Sequence, residues 1–331
     1  MNGREYLADV FTAGKRNTNI EFQTGRFPLT QYDIHSTRTG VLNMAEISAT
    51  MVMKLRKMTG QGMMDCKRAL QEANGDTEKA MDILRKKGLA TLAKRAERET
   101  SEGLVVCKAS EDGKTVAMAT LCCETDFVAK SDDFIATAQA LADYALACSA
   151  EKGTENVLET VVDDRKFSDV LTEMVSKTGE KTQVGDYAKY KLDGPGLISI
   201  YIHFNEKVGT MVQIETSDDN VAAADVLKHT ASDMAMHITA TKPLALDKDQ
   251  IDSETIEREK AIFAEQVKNK PANIIEKIIE GKIRKFFAEN CLLDQPFVKD
   301  DSKSVAQVLA DAAKQAGGEA KIKRFDRFEV G

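Results

Sequence analysis

The sequence has no CxxC pair and no histidine at ligand spacing from any of its six cysteines, at positions 66, 107, 122, 123, 148 and 291. Neither a zinc site nor a redox motif is therefore written in it. Its four histidines, 35, 203, 229 and 237, stand outside any Gx[ST]xG elbow, HExxH pair or catalytic-cysteine context. GxGxxG and P-loop glycine patterns are missing too, which removes a nucleotide site held by this chain. No apolar run reaches the roughly 18 residues of a membrane span, and Met1 to Leu42 hold no apolar signal-peptide core. Glu5, Asp9, Glu21 and Asp33 speak against a transit peptide. A basic balance is also lacking: the net charge of -7 argues against a dedicated nucleic-acid binder and fits a protein partner better. These absences predict a soluble, cytoplasmic, non-enzymatic protein with no cofactor and no metal. Cys122 and Cys123, adjacent on a predicted strand, point to opposite faces and read as small core residues.

What is present divides a 331-residue chain into several domains. Residues 1 to 43 show no period and are expected to form a disordered extension, with "MAEIS" from Met44 resembling a natural start. From Ser48, three helical segments are separated by glycines. Val52, Leu55 and Met58 mark the first apolar face, Cys66, Ala69, Leu70 and Ala73 the second, and Ala80, Ile83 and Leu84 the third. Gly60, Gly75 and Gly88 fall where C-terminal caps are wanted, and Asp76 where an N-cap is. This predicts a three-helix domain, with its linker, over residues 44 to 99; the charged "AKRAERETSE" is expected to lead away as helix.

At Gly103 the period changes to two. "GLVVCKAS" and "KTVAMATLCC" flank a Glu111-Asp112-Gly113 turn and predict a hairpin; Phe134, Ala138, Leu141, Ala145 and Cys148 then make one helical stripe. A helix from about Arg165 to Lys177 and a strand over "KTQVGDYAKYKL" follow. The unit recurs in "GLISIYIHF", "GTMVQIETSDD" and a helix striped by Leu227, Ala231, Met234 and Ile238. Aligning Cys123-Glu124-Thr125 with Ile214-Glu215-Thr216 repeats the acid after the second strand and leaves Asp126-Phe127 without a counterpart. Pro243 ends the second helix. Two charged helices joined by "NKPA" then predict a projecting antiparallel hairpin at about 249–289, whose Ile and Phe residues offer a surface for association and leave a homodimer open. The expected class is α+β: a core of two subdomains, 100–195 and 196–331, the second carrying the hairpin. A short helix from Ser304 to Gln315 and a strand over "RFDRFEV" close it.

Three places attract attention as contact candidates. Met63 and Met64 open a helix directly after two glycines; one is expected in the core and the other exposed, where a soft side chain suits protein binding. Alternation on "LISIYIHF" puts Ile198, Ile200, Ile202 and Phe204 on one face and Leu197, Ser199, Tyr201 and His203 on a more polar one, with His203 either solvated or at a partner contact. Asp126-Phe127 sets an acid and a large aromatic where an apolar run stops. Ser131 to Asp133 beyond it reads as a helix N-terminus, not as a catalytic acid cluster.

Together, "MKLRKMTGQGMMDCKRALQEANGDTEKAMDILRKKG", "ETDFVAKSDDF", "AMHITATKP" and the terminal "RFEVG" resemble the bacterial elongation factor Ts family, in the same order and over nearly everything from Met44 to Gly331. The resemblance implies a guanine-nucleotide exchange factor for elongation factor Tu, binding its nucleotide-free and GDP-bound forms, with an N-terminal domain like a ubiquitin-associated (UBA) domain. It implies partner contacts at Asp126, Phe127 and Val128, at Arg56, Met63 and Met64, and at His203. Longer family members continue past "RFEVG". Two rival classes remain: an adaptor binding ubiquitin-like partners through residues 44 to 99, and a thiol or metal enzyme built on Cys122 or Cys123.

Overall fold

The structure, a computed structural model, describes residues 47–268 and 270–331. The expected extension over residues 1 to 43 lies outside the described residues. Helix α1 (Ala49–Thr59) starts where Ser48 Oγ accepts the Met51 amide and stops at Gly60, whose φ of 67° suits a residue without Cβ. Helices α2 (Met63–Glu72) and α3 (Thr77–Lys94) follow, the latter capped by the Asp76 carboxylate. Val52, Leu55, Cys66, Leu70, Ala80 and Leu84 close their core. Gly88, expected to cap a helix, lies inside α3 instead: a Cβ there would stand 2.6 Å from the Thr172 carbonyl oxygen, so the glycine permits a close helix crossing. The helix also stops at Lys94, and the expected helical linker is a series of turns.

The first half pairs β1 (Glu102–Ala109) with β2 (Thr115–Cys123) as an antiparallel hairpin. A one-turn helix α4 (Asp126–Ala129) and the long α5 (Asp132–Ala147) follow. Next come α6 (Thr154–Glu159), the small hairpin of β3 (Val161–Val162) and β4 (Arg165–Lys166), α7 (Phe167–Thr178) and β5 (Thr182–Lys191). Strand β5 joins β2 to give the order β1-β2-β5. The expected stripe of α5, Phe134 to Cys148, is buried against Leu121, Cys123 and Phe167. Each such large side chain removed from water contributes about 1.5–3 kcal/mol.

The second half is β6 (Gly196–Ile202) and β7 (Val208–Thr216), then α8 (Asp219–Ala223) and α9 (Asp225–Thr241). The helical pair α10 (Ser253–Val267) and α11 (Ala272–Asn290) packs against itself. Strands β8 (Pro296–Phe297) and β9 (Asp300–Ser304), helix α12 (Val305–Gln315) and β10 (Ala320–Glu329) complete it, the last pairing with β7 in the order β6-β7-β10. One constant offset carries Gly103 onto Gly196, Thr125 onto Asp218, Asp126 onto Asp219, Phe134 onto Leu227 and Ala138 onto Ala231. The expected alignment was therefore two residues out. The Glu-Thr pairs after the second strands are not equivalent; the helices α4 and α8, each capped at its own N-terminus, mark the equivalent turns. The acid at 126 has a counterpart, and the position of Phe127 is held by Asn220.

The fold is α+β, with each sheet covered on both faces. Helices α5 and α7 cover the first sheet, and α9 and α12 the second. Between the sheets lie Val105, Val116, Met118, Cys122, Tyr190, Met211, Phe328 and the isoleucines of β6. A Cβ on Gly209 would meet Val105, Ile202 and Met118 side chains within 3.1 Å, so the inner faces interdigitate closely. Leu197 and Tyr201, on the face expected to be polar, pack against the second core instead. Cys122 and Cys123 do face opposite ways, into different cores, and burial pushes the Cys123 thiol up to about 12. Burial likewise raises the Cys122 thiol, so at both positions the reactive thiolate is disfavoured.

Candidate partner-binding surface

Helix α4 is short because it is capped at both ends. Thr125 Oγ1 accepts the Val128 amide, and Ser131 Oγ accepts the Phe134 amide that opens α5. Inside that turn, Ala129 is buried and Val128 packs on the first core, while the preceding Phe127 faces outward. Phe127 is 84% exposed. Asp126 Oδ2 accepts from Lys130 Nζ at 2.7 Å, and this bond holds its carboxyl below the usual range, so it stays ionised beside the ring.

The turn is held from behind. Thr125 donates through its hydroxyl to Glu180 Oε1 at 2.9 Å and through its amide to Oε2 at 3.2 Å. Arg95 Nη1 lies 2.8 Å from both carboxylate oxygens of Glu124, and the Lys181 amide donates to the same group at 2.6 Å. Burial disfavours the Glu124 charge, but the Lys181 amide and Arg95 outweigh it and keep the carboxyl below its ordinary value. Lys181 Nζ in turn donates to the carbonyls of Ala96 and Arg98. None of these partners was singled out from the sequence; Arg95 and Lys181 stand 29 and 57 residues from Glu124, beyond any local pattern.

Met63 and Met64 are 50% and 60% exposed, so neither is core, contrary to the expectation that one would be. Cys66 supplies the buried residue of that turn. Arg56, on α1, is also exposed. The start of α2 is seated on α7: Gln61, buried, donates to the Glu173 carbonyl and accepts from Ser176 Oγ. The Lys177 side chain lies against Gly60 and ion-pairs with Asp133 at 3.1 Å. The methionine pair and the Phe127 turn are thus both anchored to the C-terminal end of α7 and the residues that follow it.

His203 belongs to a separate place. It follows β6, its Nδ1 is hydrogen-bonded to Tyr201 Oη at 3.1 Å, and its ring sits 4.4 Å from that of Phe204. Phe204 is 88% exposed: alternation ends with the strand at Ile202, and the loop turns through Glu206 at φ 56°, where the first hairpin has Gly113. Sequence alternation had placed this ring inside; the end of the strand was the missing signal. A mainly apolar groove of about 370 Å³ adjoins, lined by Tyr201, His203, Met236, Thr239 and Val298. Among the described residues no group of His, Cys, Asp and Glu is arranged to hold a metal, and no helix is long and apolar enough to cross a membrane.

The surface therefore offers protruding apolar side chains on braced turns. The chain is similar to named proteins over most of its length. The family model described as Elongation factor TS matches residues 124–331. The elongation factor Ts of Nitratiruptor sp. is 47% identical over 287 residues, 86% of this chain and 93% of that relative. That of Clostridium botulinum is 42% identical over the same shares, and that of Desulfovibrio desulfuricans 40% identical over 87% of this chain and 99% of the relative. With such identity sustained across nearly all of each relative, and a family match that starts at the Glu124 turn and takes in β5 and the whole of the second sheet, the chain belongs to the elongation factor Ts family.

Proposed function

We propose that this protein is a guanine-nucleotide exchange factor for elongation factor Tu that acts in the cytoplasm during translation elongation. The observation that carries this reading is Phe127, an 84% exposed aromatic on a one-turn helix capped at both ends. A ring in that position enters between helices of the partner's G domain, and packed helices respond by moving between discrete arrangements. The Asp126 carboxylate beside it disturbs the Mg²⁺ that clamps the nucleotide phosphates. Because Mg²⁺ demands a near-ideal octahedron, small ligand shifts weaken it greatly.

The coupling is reciprocal. A factor that binds the nucleotide-free partner more tightly than the GDP-bound one weakens GDP binding by the same ratio, and nucleotide expels the factor in turn. No bond in a substrate breaks, so no acid, base or nucleophile of this chain is required. Val128 supports the wedge from within the fold. Arg56, Met63 and Met64, on a UBA-like domain of residues 44 to 99, contact the same G domain, while His203 contacts another part of the partner. The α10–α11 pair projects as a coiled coil, and a homodimer through its apolar positions is compatible with exchange.

Release of a fluorescent GDP from elongation factor Tu tests this. Wild type accelerates release strongly, and Phe127→Ala loses on the order of tenfold or more of that effect, as expected when one large buried side chain is removed from a contact. Asp126→Ala is impaired mainly when Mg²⁺ is present. Release unchanged by the wild-type protein would overturn the proposal, and equal losses with and without Mg²⁺ would remove the ion from it.

A further inference from the structure

We infer that Arg95 and Glu124 form a latch that positions the Phe127 turn for nucleotide release, tying it to the linker from the three-helix domain. The inference rests on the exchange reading above. The linker from Arg95 to Thr100 has no regular secondary structure and buries none of its residues, so polar bonds hold it in place. Arg95 Nη1 reaches both Glu124 oxygens at 2.8 Å, Lys181 Nζ holds the Ala96 and Arg98 carbonyls, and Gln183 Nε2 donates to Thr100 Oγ1 at 3.0 Å. The Glu124 side chain is 14% exposed and that of Arg95 36%, so the carboxylate end of the pair is the better shielded from solvent and salt. Glu124 lies directly before the Thr125 cap, so its position sets where the one-turn helix begins.

The second half of the molecule supplies an internal comparison. Its equivalent turn has the same one-turn helix, yet Ser217 stands in place of Glu124; its hydroxyl bonds Asp218 and the Glu319 amide, and it carries no charge to pair with an arginine. That turn carries Asn220 where the first carries Phe127. The latch accompanies the aromatic and not the architecture. Nor does attachment of the three-helix domain depend on Arg95 alone, because Gly88 and Gln61 already seat it on α7. Arg95 and Glu124 are positioning residues: they act by limiting the excursions of Phe127 before the partner arrives, which lowers the ordering that its insertion requires.

The test measures GDP release from elongation factor Tu over a range of factor concentrations for wild type, Arg95→Ala, Arg95→Lys, Glu124→Gln and the double variant Arg95→Ala/Glu124→Gln. Arg95→Ala lowers the plateau rate roughly five- to tenfold, while the half-saturating concentration stays within about twofold. Arg95→Lys recovers part of the loss, and the double variant is no worse than the more impaired single one, as for two members of one contact. Melting temperatures of the free proteins report any general loss of folding. An unchanged plateau in Arg95→Ala, or single-variant losses that multiply in the double variant, would overturn the latch while leaving the exchange reading intact. Should wild type itself fail to accelerate release, the exchange reading falls, and amide hydrogen exchange of the free proteins still decides the latch. Faster exchange of residues 126 to 131 in Arg95→Ala is the expected result; identical exchange would exclude the contact as a positioning device.

Discussion

Within the "AMHITATKP" segment, His237 is buried on α9. Its Nδ1 accepts the Val298 amide at 3.2 Å, which leaves Nε2–H to donate to Gln295 Oε1 at 2.9 Å. Burial holds the imidazole below its ordinary value of 6.5, so the folded protein keeps it neutral where the unfolded chain would take up a proton. Stability is fully present above 6.5 and falls as pH drops through the window below it. His237→Gln removes the titration but leaves the Val298 amide without its acceptor, so it is destabilised at neutral pH by about 1–3 kcal/mol. Thermal melts between about pH 7.5 and 5.5 should show a steeper decline for wild type than for the variant. At this scale the sequence was half legible. Phe127 stood out as an aromatic after an apolar run had ended, and Met63 and Met64 by their place behind two glycines. Glu124 was only part of a motif, because a carboxylate shows its role through partners, and those arrive from distant turns. Phe204 was misplaced because alternation was carried one step past the end of its strand.

At the scale of elements, the helix stripes were the most legible feature, since a 3.6-residue period needs nothing outside its own segment. Glycine was the least. Gly60 ends α1 as its position suggested, but Gly88 lies inside α3 and serves a helix crossing instead. Alanine is favoured over glycine inside an isolated helix by about 1 kcal/mol. Here the added Cβ would sit 2.6 Å from a backbone oxygen of α7, which has no rotamer to yield. Gly88→Ala is therefore expected to destabilise the protein by about 1–3 kcal/mol, and denaturant unfolding measures it. A gain in stability would show that the two helices separate freely. The repeat also illustrates how local letters mislead. A Glu-Thr pair after each second strand invited one alignment, whereas the buried positions of α5 and α9, read together with the turn helices, demand another.

For the whole molecule, the helical pair α10–α11 is joined to the second half at a narrow base. The Leu244 amide donates to Asn290 O, and the Leu292 and Leu293 amides donate to the carbonyls of Ala245 and Leu246 at 2.9 and 3.0 Å. That base brings the two ends of the insertion together, so the outer part is not needed to close the chain. Replacing residues 260–280 by a short Gly-Ser link should leave the melting temperature within about 5 °C of wild type, measured calorimetrically. A collapse of the fold would show that the pair supports the sheets. The helical pair was visible in the sequence from two periodic helices around a proline; its closed base was not, because backbone pairing between distant loops leaves no trace in side-chain pattern.

The interdigitated contact between the sheets has its own consequence. Phe127 stands on one half and Phe204 on the other, and side chains of both halves close around Gly209. If the two halves keep this packing when a partner binds, the spacing of the two rings stays fixed. Under the proposed function, any mismatch between that gap and a partner changing shape is taken up by the partner, so the factor acts as a gauge whose fixed width selects the open form.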